Sequence, residues 1–327
     1  MRRRDVIALL GGTAAAWPLG ACGQRQSPPV IGFVNSSNVS LSSATDMVNP
    51  FREGLKESGY IEGRDVSIEY RWAAGRVERL PELLDDLISR KVALIVASGG
   101  FVSAMTAKAA TRTIPILFIA GYDPVSMGLV ASMNRPGGNA TGVSVYTIEL
   151  VQKRFEFLLS ILPSIRTIAL LVNPNPYGSE LEAASMAKAT SALGKRLLIL
   201  QANVESDIDE IFASAIQKGA DALIVSADPF FTARAAKIVE LAARHKLPAI
   251  YPWRNYVVAG GLMSFGPTLT WAYNKLGNYA ARILKGAKPG ELPVEQPSIF
   301  HVVVNNKTLA ALGITLRRDV LVDEYID

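Results

Sequence analysis

Residues 93–118 and 222–251 read as two copies of one segment. Both open on Ala-Leu-Ile-Val, at Ala93 and Ala222, a short apolar run of the kind that forms a buried strand. A small polar turn follows, then an Ala-rich stretch with helical character, then a second strand opening on Pro115 or Pro248. The copies are offset by 129 residues at the first strand and 133 at the proline, so the second helix is expected to be about one turn longer. A chain that repeats half of itself at this period is expected to form two similar α/β lobes. Two such lobes place a ligand in the cleft between them.

The 327 residues suffice for two domains of ordinary size. Apolar residues make up 49% and charged residues 19%, a balance that supplies two cores and argues against disorder. The net charge is +5, of which Arg2, Arg3, Arg4 and Asp5 supply +2, leaving +3 for the rest. No basic cluster with interleaved aromatics remains, so no nucleic-acid partner is expected. One cysteine and two histidines are too few for a zinc site of Cys and His, and they leave little for a nucleophile with its base. His245 falls at the end of a helical run, where a cation is favoured, and His301 opens an apolar strand as an edge residue. No GxGxxG follows the first strand and no Walker A pattern occurs. Neither cofactor, metal nor enzymatic activity is expected.

The N-terminus reads as an address. Three arginines precede the uncharged, mostly apolar stretch Val6–Leu19, the layout of a secretory signal over residues 1–21 and too short for an ordinary membrane span. The arginines fit either a twin-arginine export signal or a plain charged n-region. Leu19-Gly20-Ala21-Cys22 is similar to a bacterial lipobox, which makes Cys22 the expected lipidation site. The alternative is cleavage nearby with Cys22 incidental. Residues 22–29 then serve as a tether, and the chain is expected in the periplasm or cell envelope.

Strands and helices alternate along the body, which predicts βαβ units with right-handed crossovers in parallel sheets. The expected strands are 30–35, 66–72, 93–97, 116–120 and 142–146, then 167–173, 196–202, 222–227, 248–253, 261–266 and 300–305. In the helix expected over 78–91, Leu80, Leu83, Leu84 and Leu87 form one apolar stripe. A single helix is expected over 231–246 and a long one over 269–286. The strand–helix–strand tail crosses back between the lobes. Residues 30–143 with 266–298 are expected to build the N-terminal lobe, and 144–265 with 299–327 the C-terminal lobe, joined by a three-strand hinge.

Specific segments carry a resemblance. They are Phe51-Arg52-Glu53-Gly54-Leu55, Asp123-Pro124-Val125, Asn134–Ser144 with its PGGNxTGVS core, Ala259–Gly266, and Ile283-Leu284-Lys285-Gly286. With this layout the chain resembles ABC-transporter substrate-binding proteins of the tryptophan/tyrosine type, whose fold is the type I periplasmic-binding-protein fold. The likeness runs over roughly 30–315. It implies a solute receptor that takes an amino acid, aromatic ones included, and hands it to an ABC permease with its ATPase. A monomer is expected.

In parallel sheets ligands bind beyond the C-terminal ends of the strands. That rule nominates Ser36 and Ser37 after the first strand, then Ser98, Gly99 and Gly100, then Tyr122 and Asp123. Asn173–Tyr177, Asp228, Phe230, Trp253 and Arg254 follow strands of the second lobe. Ser98-Gly99-Gly100 leads into a helix N-terminus that suits a carboxylate, or else is a plain turn capped by Ser98. Asp228 either receives a ligand ammonium or caps a helix with Pro229 behind it, and Asp123-Pro124 leans to the cap. Tyr122, Tyr146, Phe230, Phe231 and Trp253 are candidates to sandwich an apolar side chain, at least two of them being core. Arg254 pairs with a ligand anion or sits on the surface. A ligand-sensing module of the same fold and a doubly wound enzyme are the alternative readings. A repressor would carry a helix-turn-helix before the first strand, where an export signal stands. A receptor ectodomain would continue into a membrane helix, and none is expected here.

Overall fold

The computed structural model describes residues 27–38, 47–174, 178–317 and 320–327. The expected export signal, Cys22 and the first part of the expected tether lie outside the described residues, as do 175–177. No helix among the described residues is long and apolar enough to cross a membrane.

The apolar run Val30–Asn35 (β1) is buried along nearly its whole length, as a central parallel strand requires. Ser67–Trp72 (β2), Leu94–Ser98 (β3), Ile116–Ala120 (β4) and Ala140–Ser144 (β5) complete a five-stranded parallel sheet of order β2-β1-β3-β4-β5. Helices Asn49–Glu57 (α1), Leu80–Ser89 (α2) and Phe101–Ala110 (α3) cover it. Leu80, Leu83, Leu84 and Leu87 all face the core, as their stripe predicts.

The second sheet holds Thr167–Val172 (β6), Arg196–Gln201 (β7), Ala222–Val225 (β8), Ala249–Tyr251 (β9), Met263–Gly266 (β10), His301–Asn305 (β11) and Glu324–Ile326 (β12). Its order is β12-β11-β10-β9-β8-β6-β7, parallel except where β10 meets β11. Thr147–Ile161 (α4), Ser179–Ala192 (α5), Glu205–Gln217 (α6), Pro229–Thr232 (α7), Ala235–Arg244 (α8) and Arg254–Val258 (α9) belong with it. Leu269–Leu284 (α10) and Asn306–Ala311 (α11) follow.

The internal repeat is visible in the strand orders. β2-β1-β3-β4-β5 in one sheet corresponds to β7-β6-β8-β9-β10 in the other, and the two Ala-Leu-Ile-Val runs lie at β3 and β8. The second copy departs at its helix. One helix is expected over 231–246, but the chain forms α7 and α8, broken at Ala233-Arg234. Pro229 starts α7 directly at Asp228, and the extra turn is spent on this break. β5 begins two residues earlier than expected. Its Gly142 packs so close to β4 that a Cβ there would lie 2.0 Å from the Phe118 carbonyl. Two short elements, α9 and β12, had no counterpart in the sequence reading.

The chain crosses between the sheets three times. It passes from β5 through Val145-Tyr146 into α4, and from β10 through Pro267-Thr268 into α10. It returns after Glu295, which hydrogen-bonds along β5 through Ser144 N–H and Gly142 C=O, each at 2.9 Å, and then runs to β11. α10 packs on α1 of the first sheet. Two lobes joined by three adjacent segments can close on each other as rigid bodies.

Candidate functional site

The C-terminal ends of both sheets face one cleft, a cavity of about 540 Å³. Its first wall is built at β1 and β3. The Asn35 side chain is fully buried, and its oxygen accepts from Ser37 N–H (2.8 Å) and the Ser37 hydroxyl (2.7 Å). Its amide nitrogen donates to Ser98 Oγ at 2.8 Å. Ser36 Oγ donates to the Gly99 carbonyl at 2.5 Å. These bonds lock the two strand ends together. Gly99 has φ +81°, and a Cβ on it would lie 2.5 Å from Ser36 N and 2.6 Å from Asn35 Oδ1, so only glycine fits. Gly100 is the N-cap of α3 and, as a glycine, brings no capping side chain of its own. The first turn of α3 therefore opens on the cleft with the positive end of its dipole.

The facing wall is built at β6 and β8. Asp228 caps α7, and its Oδ1 accepts from Phe230 N–H (2.8 Å) and Asn173 Nδ2 (3.0 Å). Burial pushes its carboxyl up, while the Asn173 and Phe230 bonds pull it down. Phe230 stands beside it with the Arg234 guanidinium 4.0 Å from its ring centre. Opposite, Tyr122 packs edge-on against Phe101, centroids 5.9 Å apart. Among the described residues the walls approach each other at Gly100 and at Gly178. A Cβ on Gly100 would lie 3.2 Å from Pro229 Cγ, and one on Gly178 would lie 2.1 Å from the Tyr122 ring.

Ser36, Ser37, Gly99, Gly100, Tyr122, Asp228 and Phe230 thus line one cavity. The other candidates lie elsewhere. Ser98 is fully buried beneath the wall, held by Asn35 and near the Tyr273 hydroxyl. Asp123 is exposed and caps its own turn, Oδ1 accepting from Val125 N–H at 2.9 Å. Tyr146 sits on the first crossing next to Gln296 of the third, with a left-handed backbone (φ 52°). Trp253 is buried, and Arg254 makes a two-pronged ion pair with Glu324 (2.7 and 2.5 Å). Both line a separate cavity of about 770 Å³ beside β9–β12. They follow β9, which lies farther along the sheet than β8, and the residues after it turn outward into α9.

Arg76, Glu78, Thr147, Asn203 and Arg234 also line the cleft and were not among the candidates. The strand-end rule reaches three of these positions. Arg76 follows β2 and Asn203 follows β7, both at C-terminal ends. Thr147 follows β5, where its hydroxyl donates to the Gly121 carbonyl at 2.7 Å. No cluster of His, Cys, Asp and Glu that could hold a metal occurs among the described residues.

A family model described as ABC transporter substrate binding protein matches residues 35–325. The chain belongs to that family. A tyrosine-binding protein of Clostridioides difficile is 27% identical over 262 residues, covering 80% of this chain and 75% of that one. Among solved structures, a conserved domain protein of Vibrio cholerae has a TM-score of 0.83 at 24% identity, covering 92% of this chain and 100% of its own. The ABC domain of Streptococcus pneumoniae in complex with L-Trp has a TM-score of 0.82 at 24% identity, with the same coverage. A ligand-free, open substrate-binding protein of Clostridium difficile scores 0.65 at 24% identity, over 91% of this chain and 99% of its own. As a family member the chain is a substrate-binding protein of an ABC transporter, with the two-lobed fold of periplasmic binding proteins.

Proposed function

We propose that this substrate-binding protein takes a free amino acid, aromatic ones included, in the inter-lobe cleft and delivers it to a membrane permease for import. The carrying observation is the asymmetry of the two walls. One presents a half-buried carboxylate, Asp228, and the other a helix start at the glycine N-cap Gly100, just after Gly99. An α-ammonium bonds to Asp228, both of whose observed bonds fall on Oδ1, and an α-carboxylate bonds to amides at the start of α3. The side chain then lies among Phe101, Tyr122 and Phe230. Relatives named for tyrosine and solved with L-Trp support this class. Ser36 and Ser37 frame the carboxylate side, while Ser98 acts from beneath it.

The chain works outside the cytoplasm as a monomer, exported by residues 1–21 and tethered through lipidated Cys22. Cys22→Ala is expected to abolish membrane fractionation; unchanged processing and fractionation would refute the anchor. The ligand class is tested by a thermal-shift screen of the mature chain. One class of amino acids is expected to raise Tm, because a ligand at 100 times its Kd stabilises the native state by about 2.7 kcal/mol. No shift with any amino acid, while small peptides or organic acids give one, would overturn this reading.

A further inference from the structure

The geometry points to a water-bridged ion pair between Arg154 and Glu182, buried behind the cleft, that positions Ser226 and through it Asp228. The inference rests on the reading of Asp228 as the ammonium partner. Arg154 on α4 is fully buried, and Glu182 on α5 is 1% exposed. Arg154 Nε donates to the Phe265 carbonyl of β10 at 2.9 Å, but Nη1 and Nη2 have no partner. Glu182 Oε2 accepts from the Ser226 hydroxyl, and Oε1 has no partner. No hydrogen bond therefore joins the two ions, although each is the main opposite charge acting on the other. Two buried charges with three orphaned atoms are costly unless something bridges them. A polar gap with several donors and acceptors is the setting in which proteins hold internal water.

The pair sits where closure and ligand contact meet. Glu182 N–H bonds to the carbonyl of Gly178, the residue against which Tyr122 of the other lobe packs. Ser226 passes its carbonyl to Asp228 N–H at 3.0 Å. Arg154 ties α4, which follows the first crossing, to β10, which precedes the second. Asp228 and Tyr256, from α7 and α9, are the other titratable groups acting on the pair.

The test is R154M/E182M, since replacing both members of a buried pair by apolar residues is often neutral or stabilising. The double variant is expected to keep or raise Tm and to bind L-tryptophan at least tenfold more weakly by calorimetry, whereas a merely structural pair would move Tm alone. Ser226→Ala, which leaves both ions in place, is expected to show the same loss. Wild-type affinity in either variant would overturn the inference. So would a high-resolution crystal structure showing the two side chains in direct contact or a dry gap between them. If the wild-type protein binds no amino acid, the functional reading fails separately. The crystal structure of the double variant then decides: a displaced Asp228 carboxylate supports positioning, and an unmoved one refutes it.

Discussion

Gly178 of the second lobe lies directly against the Tyr122 ring of the first, so close that a Cβ at 178 would meet the ring at 2.1 Å. The Gly178 backbone is extended (φ −179°), which any residue adopts, so only the contact excludes a side chain. Gly178→Ala is expected to fold with unchanged stability in the absence of ligand, because the obstacle matters only when the lobes meet. Binding should weaken about tenfold, a cost of about 1.4 kcal/mol. Small-angle scattering should show a ligand complex less compact than the wild type. Wild-type affinity and compaction would contradict the closure contact.

Glu182 gives a pH signature. Burial raises its carboxyl to about 7 from an ordinary value of 4.5, against the opposing pull of Ser226 and Arg154. Between these values the folded chain keeps a proton that the unfolded chain has lost. The stability contribution of Glu182 is thus full below 4.5 and is lost as pH rises through 7. Measured against Glu182→Gln in chemical denaturation, the wild type should lose relative stability across that window and then level off. Parallel curves for the two proteins would refute the assignment.

α1 and α10 touch backbone to backbone through Gly54 and Gly277. A Cβ on Gly54 would lie 2.0 Å from the Asn274 carbonyl, and one on Gly277 would lie 2.2 Å from the Phe51 carbonyl. Gly54→Ala should therefore cost about 1–3 kcal/mol by overpacking, read as a lower denaturation midpoint. An unchanged midpoint would mean that the helices separate freely.

The fold was legible because its signals are local and repeated. The β1 run, the Leu80–Leu87 stripe and the two Ala-Leu-Ile-Val strands each declare an element by periodicity. The break between α7 and α8 was not legible, because Ala233-Arg234 carries neither glycine nor proline, and tertiary packing decides it. Within the candidate site, position after a strand picked out Ser36, Gly99, Tyr122 and Asp228, which line one cavity. It did not distinguish strands by their place in the sheet. Trp253 and Arg254 end a strand too, yet they face the other cavity, where Glu324 of the unanticipated β12 holds the arginine. Arg154 and Glu182 were invisible in sequence, since charged residues on helices read as solvated and only the packed structure buries them.

On the proposed function, Asp228 receives an amino-acid ammonium in the cleft. Asp228→Asn keeps the Oδ1 acceptor that caps α7 and removes the charge. The decisive measurement is titration calorimetry of L-tryptophan and L-tyrosine into wild type and variant. Saturable binding of at least one of them by the wild type is expected, weakened in Asp228→Asn by about 2–5 kcal/mol with Tm little changed. Absence of binding by the wild type, or equal binding by the variant, would contradict it.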